Sequence, residues 1–427
     1  MKKFEYPRLG ETLYKTVLDN GLTVQVVPRP GFSKKMAYFV TDFGAIHTRF
    51  ELDGQDYEVP MGVAHFLEHK MFDMPDGRDV SADLASLGAA VNAFTSYDVT
   101  AYYVVGTERF QECLEILLNF VSTPYFTEES VQKEIGIIDQ EIGMSLDSPE
   151  SQVFEDLMSC LFREHPMRIP ILGTADSIRQ ITPEILYTCH RAFYTPGNMI
   201  LCVVGDVDPE EVVATANRVL GSERRSVGRK HIPTEDASTV AKPTACRTME
   251  VAMPTFELGF KCEDAGWGRE SVRKEAIGDL AAEALFGESS QLYLEMYEAG
   301  LIDGSFGGGY ETTEGVSMLF CGGDSDYPED VQAAVLARAA ELAQTGIDET
   351  AFRRMKRSAM GRRIRDLDSF DATCFRLCAH HLSGFPYFDF PSIYEEVSAA
   401  DLQEFLGRCV RPERTGLAVV NPLEDEA

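Results

Sequence analysis

His65 and His69 stand four residues apart in the pentad His65-Phe66-Leu67-Glu68-His69. On a helix this spacing puts both imidazoles on one face, one turn from each other. Two imidazoles so placed can hold one tetrahedral zinc ion, with Zn–N distances of about 2.0–2.1 Å. Glu68 follows His65 by three residues and lies on nearly the same face. A carboxylate there can take a proton from water at such an ion and later deliver it to a leaving amine. Val63, Phe66, Leu67 and Met71 form the other, apolar side of the helix. The same residues also read as two satisfied histidines on an amphipathic helix, and the pentad alone does not choose between the readings.

A third ligand is offered by the segment 127–142, which reads as one helix. Thr127 can cap it, and Glu128 and Glu129 in the first turn suit the helix dipole. Its apolar stripe is Val131, Ile135, Ile138 and Ile142, with Glu134 and Glu141 beside it, about two turns apart. Carboxylates bordering a core-facing stripe are costly unless they are paired, bind a metal or reach solvent. Glu141 is therefore a sensible third ligand and Glu134 a carboxylate that orients a ligand histidine. The alternative is that both merely border the core.

The elements that must position these groups follow from the rest of the pattern. Asn20-Gly21 is a hairpin turn signal followed by the β-rich run 22–27, and 37–40 continues the sheet. Helical patterns lie near 61–73, 79–88, 108–122 and 127–146, with strands at 100–105 and 199–205 and a helix near 209–220. Composition turns polar and basic at about 221–245, which places a linker at 226–245 between domains 1–225 and 246–427. Beyond it the element order starts again. Strands are expected near 257–262, 316–322 and 416–420, and helices near 269–286, 290–298, 328–344 and 348–365. The expected fold is α+β: two similar α/β-sandwich domains in tandem, with mainly antiparallel sheets flanked by helices.

Composition narrows the functional classes. The 427 residues are 44% hydrophobic and carry a net charge of −30. So acidic a chain suits neither nucleic acid nor an anionic membrane surface. Met1-Lys2-Lys3 leads into no apolar run, so no secretory signal is expected, and no apolar stretch reaches the roughly 18 residues that span a bilayer. Ten cysteines at irregular spacings are not a small disulfide scaffold. A reducing cytoplasm is the expected location. Cys374, Cys378, His380 and His381 are a weaker metal candidate on what also reads as an ordinary amphipathic helix. Gly307-Gly308-Gly309 reads as a loop or bulge, and His47, His165, His190 and His231 have no ligand-like spacing.

His-x-x-Glu-His is the inverzincin signature, and its surroundings resemble the pitrilysin/insulinase family of zinc peptidases. The stretches that carry the resemblance are Gly62–Phe72, Val91–Ser96, Glu134–Ile142, Ile171–Thr174, Tyr194–Met199 and Val204–Asp208, in the family's order. They cover nearly all of the first half. In detail the chain is most similar to bacterial members made of a single unit of about this length. The resemblance implies a fold like that of insulinase and the mitochondrial processing peptidase, with a second domain lacking the metal motif. It implies Zn2+ held by His65, His69 and Glu141, Glu68 as general base, and Glu134 in support. Asn92, Ala93, Phe94 and Thr95 would form the edge on which an extended peptide docks.

The family typically encloses peptides or unstructured segments in a chamber made by two such units. Active members need an Arg and a Tyr, seven positions apart, on the second domain to stabilise the oxyanion. Met296 and Asp303 fall at those positions, with Tyr297 and Tyr310 nearby. Neither Met nor an ionised Asp can donate a hydrogen bond. The implied enzyme is a zinc metalloendopeptidase that bears the metal in a heterodimer with a paralogous subunit supplying Arg and Tyr. A homodimer is the other arrangement, and a non-catalytic assembly subunit is the rival function.

Overall fold

The computed structural model describes residues 1–423, and these fold as two compact units. Unit 1 comprises Met1–Ile142, Pro170–His231 and Ile364–Phe388, and unit 2 comprises Gly143–Ile169, Ile232–Arg363 and the described residues from Asp389 onward. The units therefore interleave along the sequence. Each takes one segment from the other half of the chain.

The strands of unit 1 are β1 (Lys2–Tyr6), β2 (Glu11–Val17), β3 (Thr23–Pro28), β4 (Lys35–Thr41), β5 (Arg49–Leu52), β6 (Gln55–Glu58), β7 (Ala90–Thr95), β8 (Thr100–Gly106), β9 (Met199–Gly205) and β10 (Arg229–Lys230). Unit 2 contributes β11 (Thr244–Met249), β12 (Thr255–Cys262), β13 (Gly307–Thr313), β14 (Val316–Asp324) and β15 (Thr415–Pro422). The main sheet of unit 1 runs β1-β2-β3-β9-β4-β8-β7, and that of unit 2 runs β11-β15-β12-β14-β13. From β3 onward the two orders correspond strand for strand. In each, one parallel pair (β3 with β9, β11 with β15) precedes an antiparallel run. This is the duplicated, mainly antiparallel α+β fold expected from the element order.

Alternation along the strands decides what each face meets. In unit 1, Ala37, Phe39, Leu201, Val203, Tyr102 and Val104 join the main core, with the helices Phe110–Ser122 and Pro183–Phe193 packed on that side. Tyr38, between Ala37 and Phe39, points to the other face and donates a 2.5 Å hydrogen bond to Asp371 on the helix Phe370–Leu382. A helix from the end of the chain thus covers the outer face of the unit 1 sheet.

Unit 2 shows the same exchange in reverse. The helix Pro149–Leu161 lies on its sheet over Gly259 and Gly416, which pair across β12 and β15. A Cβ at Gly259 would come within 2.9 Å of Leu161 Cδ1, and one at Gly416 within 2.9 Å of Cys160 Cβ. Two facing glycines make the groove in which the helix rests.

Gly307-Gly308-Gly309, read from sequence as a loop or bulge, instead opens the regularly paired edge strand β13. A side chain at Gly308 would meet Phe286 and the Phe320 carbonyl, so glycine there is needed for close packing. Among the described residues no helix is long and apolar enough to cross a membrane.

Candidate metal centre

The two histidines lie on the short helix Val63–Lys70, which has no side-chain cap. Its start is fixed by close backbone contact. Gly62 sits at φ 85°, where a Cβ would lie 2.4 Å from the Leu172 carbonyl, and Gly173 at φ 74°, where one would lie 2.5 Å from the Met61 carbonyl. This contact gives the Ile171–Thr174 stretch a physical role: it anchors the helix that carries the histidines.

Val63, Ala64, His65, Phe66, Leu67, Glu68 and Lys70 are all buried, while His69 is partly exposed. The long helix Glu128–Leu146 brings Glu134 and Glu141 to the same place. His65 Nε2 lies 3.6 Å from Glu141 Oε1, and His69 Nε2 lies 3.7 Å from Glu141 Oε2. The donor atoms of His65, His69 and Glu141 lie within 4.8 Å of one another.

These separations test whether the residues fit an ion. Donors at tetrahedral zinc distances stand about 3.4 Å from each other, close to the two spacings to Glu141. They are too long for hydrogen bonds. The set of two imidazoles and one carboxylate also matches a zinc site that leaves one position open. The residues fit.

The electrostatics agree with that chemistry. Burial, with the neighbouring His69 adding to it, pushes the His65 imidazolium down to about 4, so His65 is neutral near pH 7. Its Nδ1 is buried without a hydrogen-bond partner. His69 is raised, chiefly because its Nδ1 bonds Glu134 Oε1 at 3.0 Å. Burial alone would raise Glu134, but its bonds with His69 and Lys70 outweigh that and hold the carboxyl below its ordinary range. Glu68 is raised, first by burial and further by the Glu141 charge. A 2.7 Å hydrogen bond donated by Thr95 Oγ1 to Glu68 Oε2 opposes the rise.

Thr95 ends β7, the edge strand of the unit 1 sheet. Thr95 and Ala93 share the face toward Glu68. Phe94 turns the other way, with ring centroids 6.5 Å from Tyr38 and 5.7 Å from Phe375. Asn92 is exposed, and its Oδ1 accepts the Ala93 N–H at 2.9 Å.

In unit 2, Met296 is buried on the helix Gln291–Glu298. Asp303 is exposed and accepts hydrogen bonds from Ser305 N at 2.7 Å and Ser305 Oγ at 2.6 Å, which hold its carboxyl below the usual range. Tyr310 packs edge-on to Phe405, whereas Tyr297 is exposed.

The remaining candidates are accounted for by ordinary packing. Cys374 and Cys378 are free and buried, the Cys374 thiol facing the Cys202 carbonyl, His381 contacts Lys15 and Thr23, and His380 stacks on Tyr387. His165 and His190 face the Glu314 and Val121 carbonyls, and His47 accepts from Gly44 N. Strand pairing gathers Glu51, Asp56 and His231, a juxtaposition that spacing did not signal, but there Arg229 already neutralises Glu51.

Fold and donor set together describe a duplicated α+β protein with a group of side chains in its first unit that could hold one metal ion. Residues 54–175 match the insulinase (peptidase family M16) domain, and residues 180–359 match the peptidase M16 inactive domain. Over 432 aligned residues, 99% of each chain, the protein is 35% identical to YmfH of Bacillus subtilis strain 168, described as an uncharacterized zinc protease. The chain belongs to the insulinase family, peptidase family M16. An uncharacterized zinc protease of Rickettsia felis is 30% identical over 220 residues, about half of each chain. The structure of an M16-like peptidase from Alicyclobacillus acidocaldarius is similar with a TM-score of 0.93 at 31% identity, covering 98% of this chain and all of that one. A Helicobacter pylori protease shares the fold, with a TM-score of 0.82 at 20% identity over 96% of this chain and 99% of that one.

Proposed function

We propose that this chain is a zinc-dependent metalloendopeptidase that cleaves peptides or unstructured segments. In this reading His65, His69 and Glu141 hold the metal and Glu68 is the general base. The observation that carries it is the convergence of two imidazoles and one distant carboxylate beside a buried glutamate. Zinc, when bound, supplies a Lewis acid that polarises the scissile carbonyl and makes water acidic.

Glu68 takes the proton of the attacking water and passes it to the leaving amine, and burial raises its basicity for that task. Glu134 keeps His69 turned with Nε2 toward the metal position. The free edge of β7 accepts an extended peptide as an added strand through main-chain hydrogen bonds along Asn92, Ala93, Phe94 and Thr95. Peptide cleavage by wild type and by Glu68→Gln at equal metal content tests the assignment.

Thr95 makes a separate pH prediction. Its hydrogen bond favours ionised Glu68, so Thr95→Val is expected to raise the Glu68 pKa. The base works only when ionised. The acid limb of kcat/KM against pH should therefore move to higher pH, with activity lost sooner on acidification. A limb that stays put would remove Thr95 from this role.

Met296 and Asp303 support a two-subunit enzyme in which a paralogous chain supplies the Arg and Tyr that face the oxyanion. The same two residues favour the rival reading, a non-catalytic assembly subunit.

A further inference from the structure

Two consecutive residues of the Val63–Lys70 helix reach the two oxygens of a single carboxylate. His69 Nδ1 meets Glu134 Oε1 at 3.0 Å, and Lys70 Nζ lies 3.5 Å from Glu134 Oε2. Lys70 is only 1% exposed. Its ammonium also donates to the Ser130 carbonyl at 3.3 Å and to Asp73. The ammonium is thus hydrogen-bonded to Ser130 and Asp73 and ion-paired with Glu134. A buried lysine is costly unless it is paired and hydrogen-bonded, and an apolar side chain would fill the same volume without that cost. The lysine is matched to the carboxylate.

We propose that Lys70 is a positioning residue of the metal centre. By holding Glu134 Oε2 it stops that carboxylate turning, so that Oε1 stays aligned with His69. A carboxylate can only accept, so His69 must donate from Nδ1 and present its Nε2 lone pair toward Glu141. The same contact docks the helix of Glu134 against the helix of the histidines. Glu141, about two turns further along, inherits that register. This inference rests on the reading of His65, His69 and Glu141 as zinc ligands.

The test uses the full-length chain, stripped by a chelator and titrated with Zn2+ against a chromophoric competitor. Lys70→Met, Glu134→Gln and the double variant are compared with wild type at equal folded fraction by circular dichroism. Lys70→Met is expected to weaken Zn2+ binding by about 10–100-fold, and to alter the visible absorption of the Co2+-loaded chain. In the Glu134→Gln background the same change should cost less than about threefold, because the carboxylate it holds is gone. If Lys70→Met does not fold, Lys70→Met with Asp73→Asn removes one charge of each sign and takes its place. Unchanged affinity in a folded Lys70 variant, or losses at Lys70 and Glu134 that simply multiply, overturns the proposal. A wild-type chain that binds no Zn2+ would instead remove the metal reading itself, and this inference with it.

Discussion

Glu68→Gln is expected to lower peptide cleavage by about 10²–10⁴-fold, the usual contribution of a positioned acid–base group, while zinc content stays at the wild-type level. The amide keeps the shape and can still accept the Thr95 hydrogen bond, so the local geometry should hold. It cannot take a proton from water or return one to the amine. The ligand atoms of His65, His69 and Glu141 are untouched by the change, which is why metal and activity should separate. The measurement pairs metal analysis with steady-state cleavage of an unstructured peptide. A variant that cleaves as fast as wild type sinks the base assignment. If wild type and variant are equally inert with every partner tried, the rival reading of an assembly subunit prevails.

A partner should change the rate nearly as much. One oxyanion donor is worth about 10²–10³-fold in kcat, and neither Met296 nor Asp303 can act as one. Adding a paralogous subunit that carries the Arg and Tyr is therefore expected to raise cleavage about 100-fold or more over the lone chain, saturating at a fixed ratio of the two. The idea fails if the lone chain already matches the mixture. Restoring the pair within this chain is not an equivalent experiment. Met296 is 2% exposed, so Met296→Arg would bury an unpaired guanidinium and is expected to destabilise unit 2 before it could activate anything.

The convergence of the candidate metal set was legible because its geometry is helical and local. His65 and His69 reach one point through an i, i+4 spacing, and Glu134 and Glu141 share one side of a single helix. Lys70 was silent for the opposite reason. A lysine directly after a histidine looks like any solvated charge until a second helix brings a carboxylate to it. The grouping of Glu51, Asp56 and His231 depends on strand pairing, which spacing along the chain does not record. Gly307-Gly308-Gly309 misled because glycine permits a loop or bulge as readily as it permits close packing against Phe286. The duplicated element order was visible in sequence, but the exchange of Pro149–Leu161 and Phe370–Leu382 was not. An amphipathic helix records that one side is covered and says nothing of which sheet covers it.

That exchange bears on how the chain is made. During synthesis the sheet of unit 1 can pair its strands once β9 has left the ribosome, but Tyr38 and Cys202 on its outer face wait for a helix that ends at Leu382. Most of the polypeptide must therefore emerge before the first unit is finished. A nascent chain stalled in the 226–245 segment would carry a bare apolar sheet surface, a natural target for chaperones. For the same reason, severing the backbone in that segment would yield two fragments that complete each other rather than two free-standing modules.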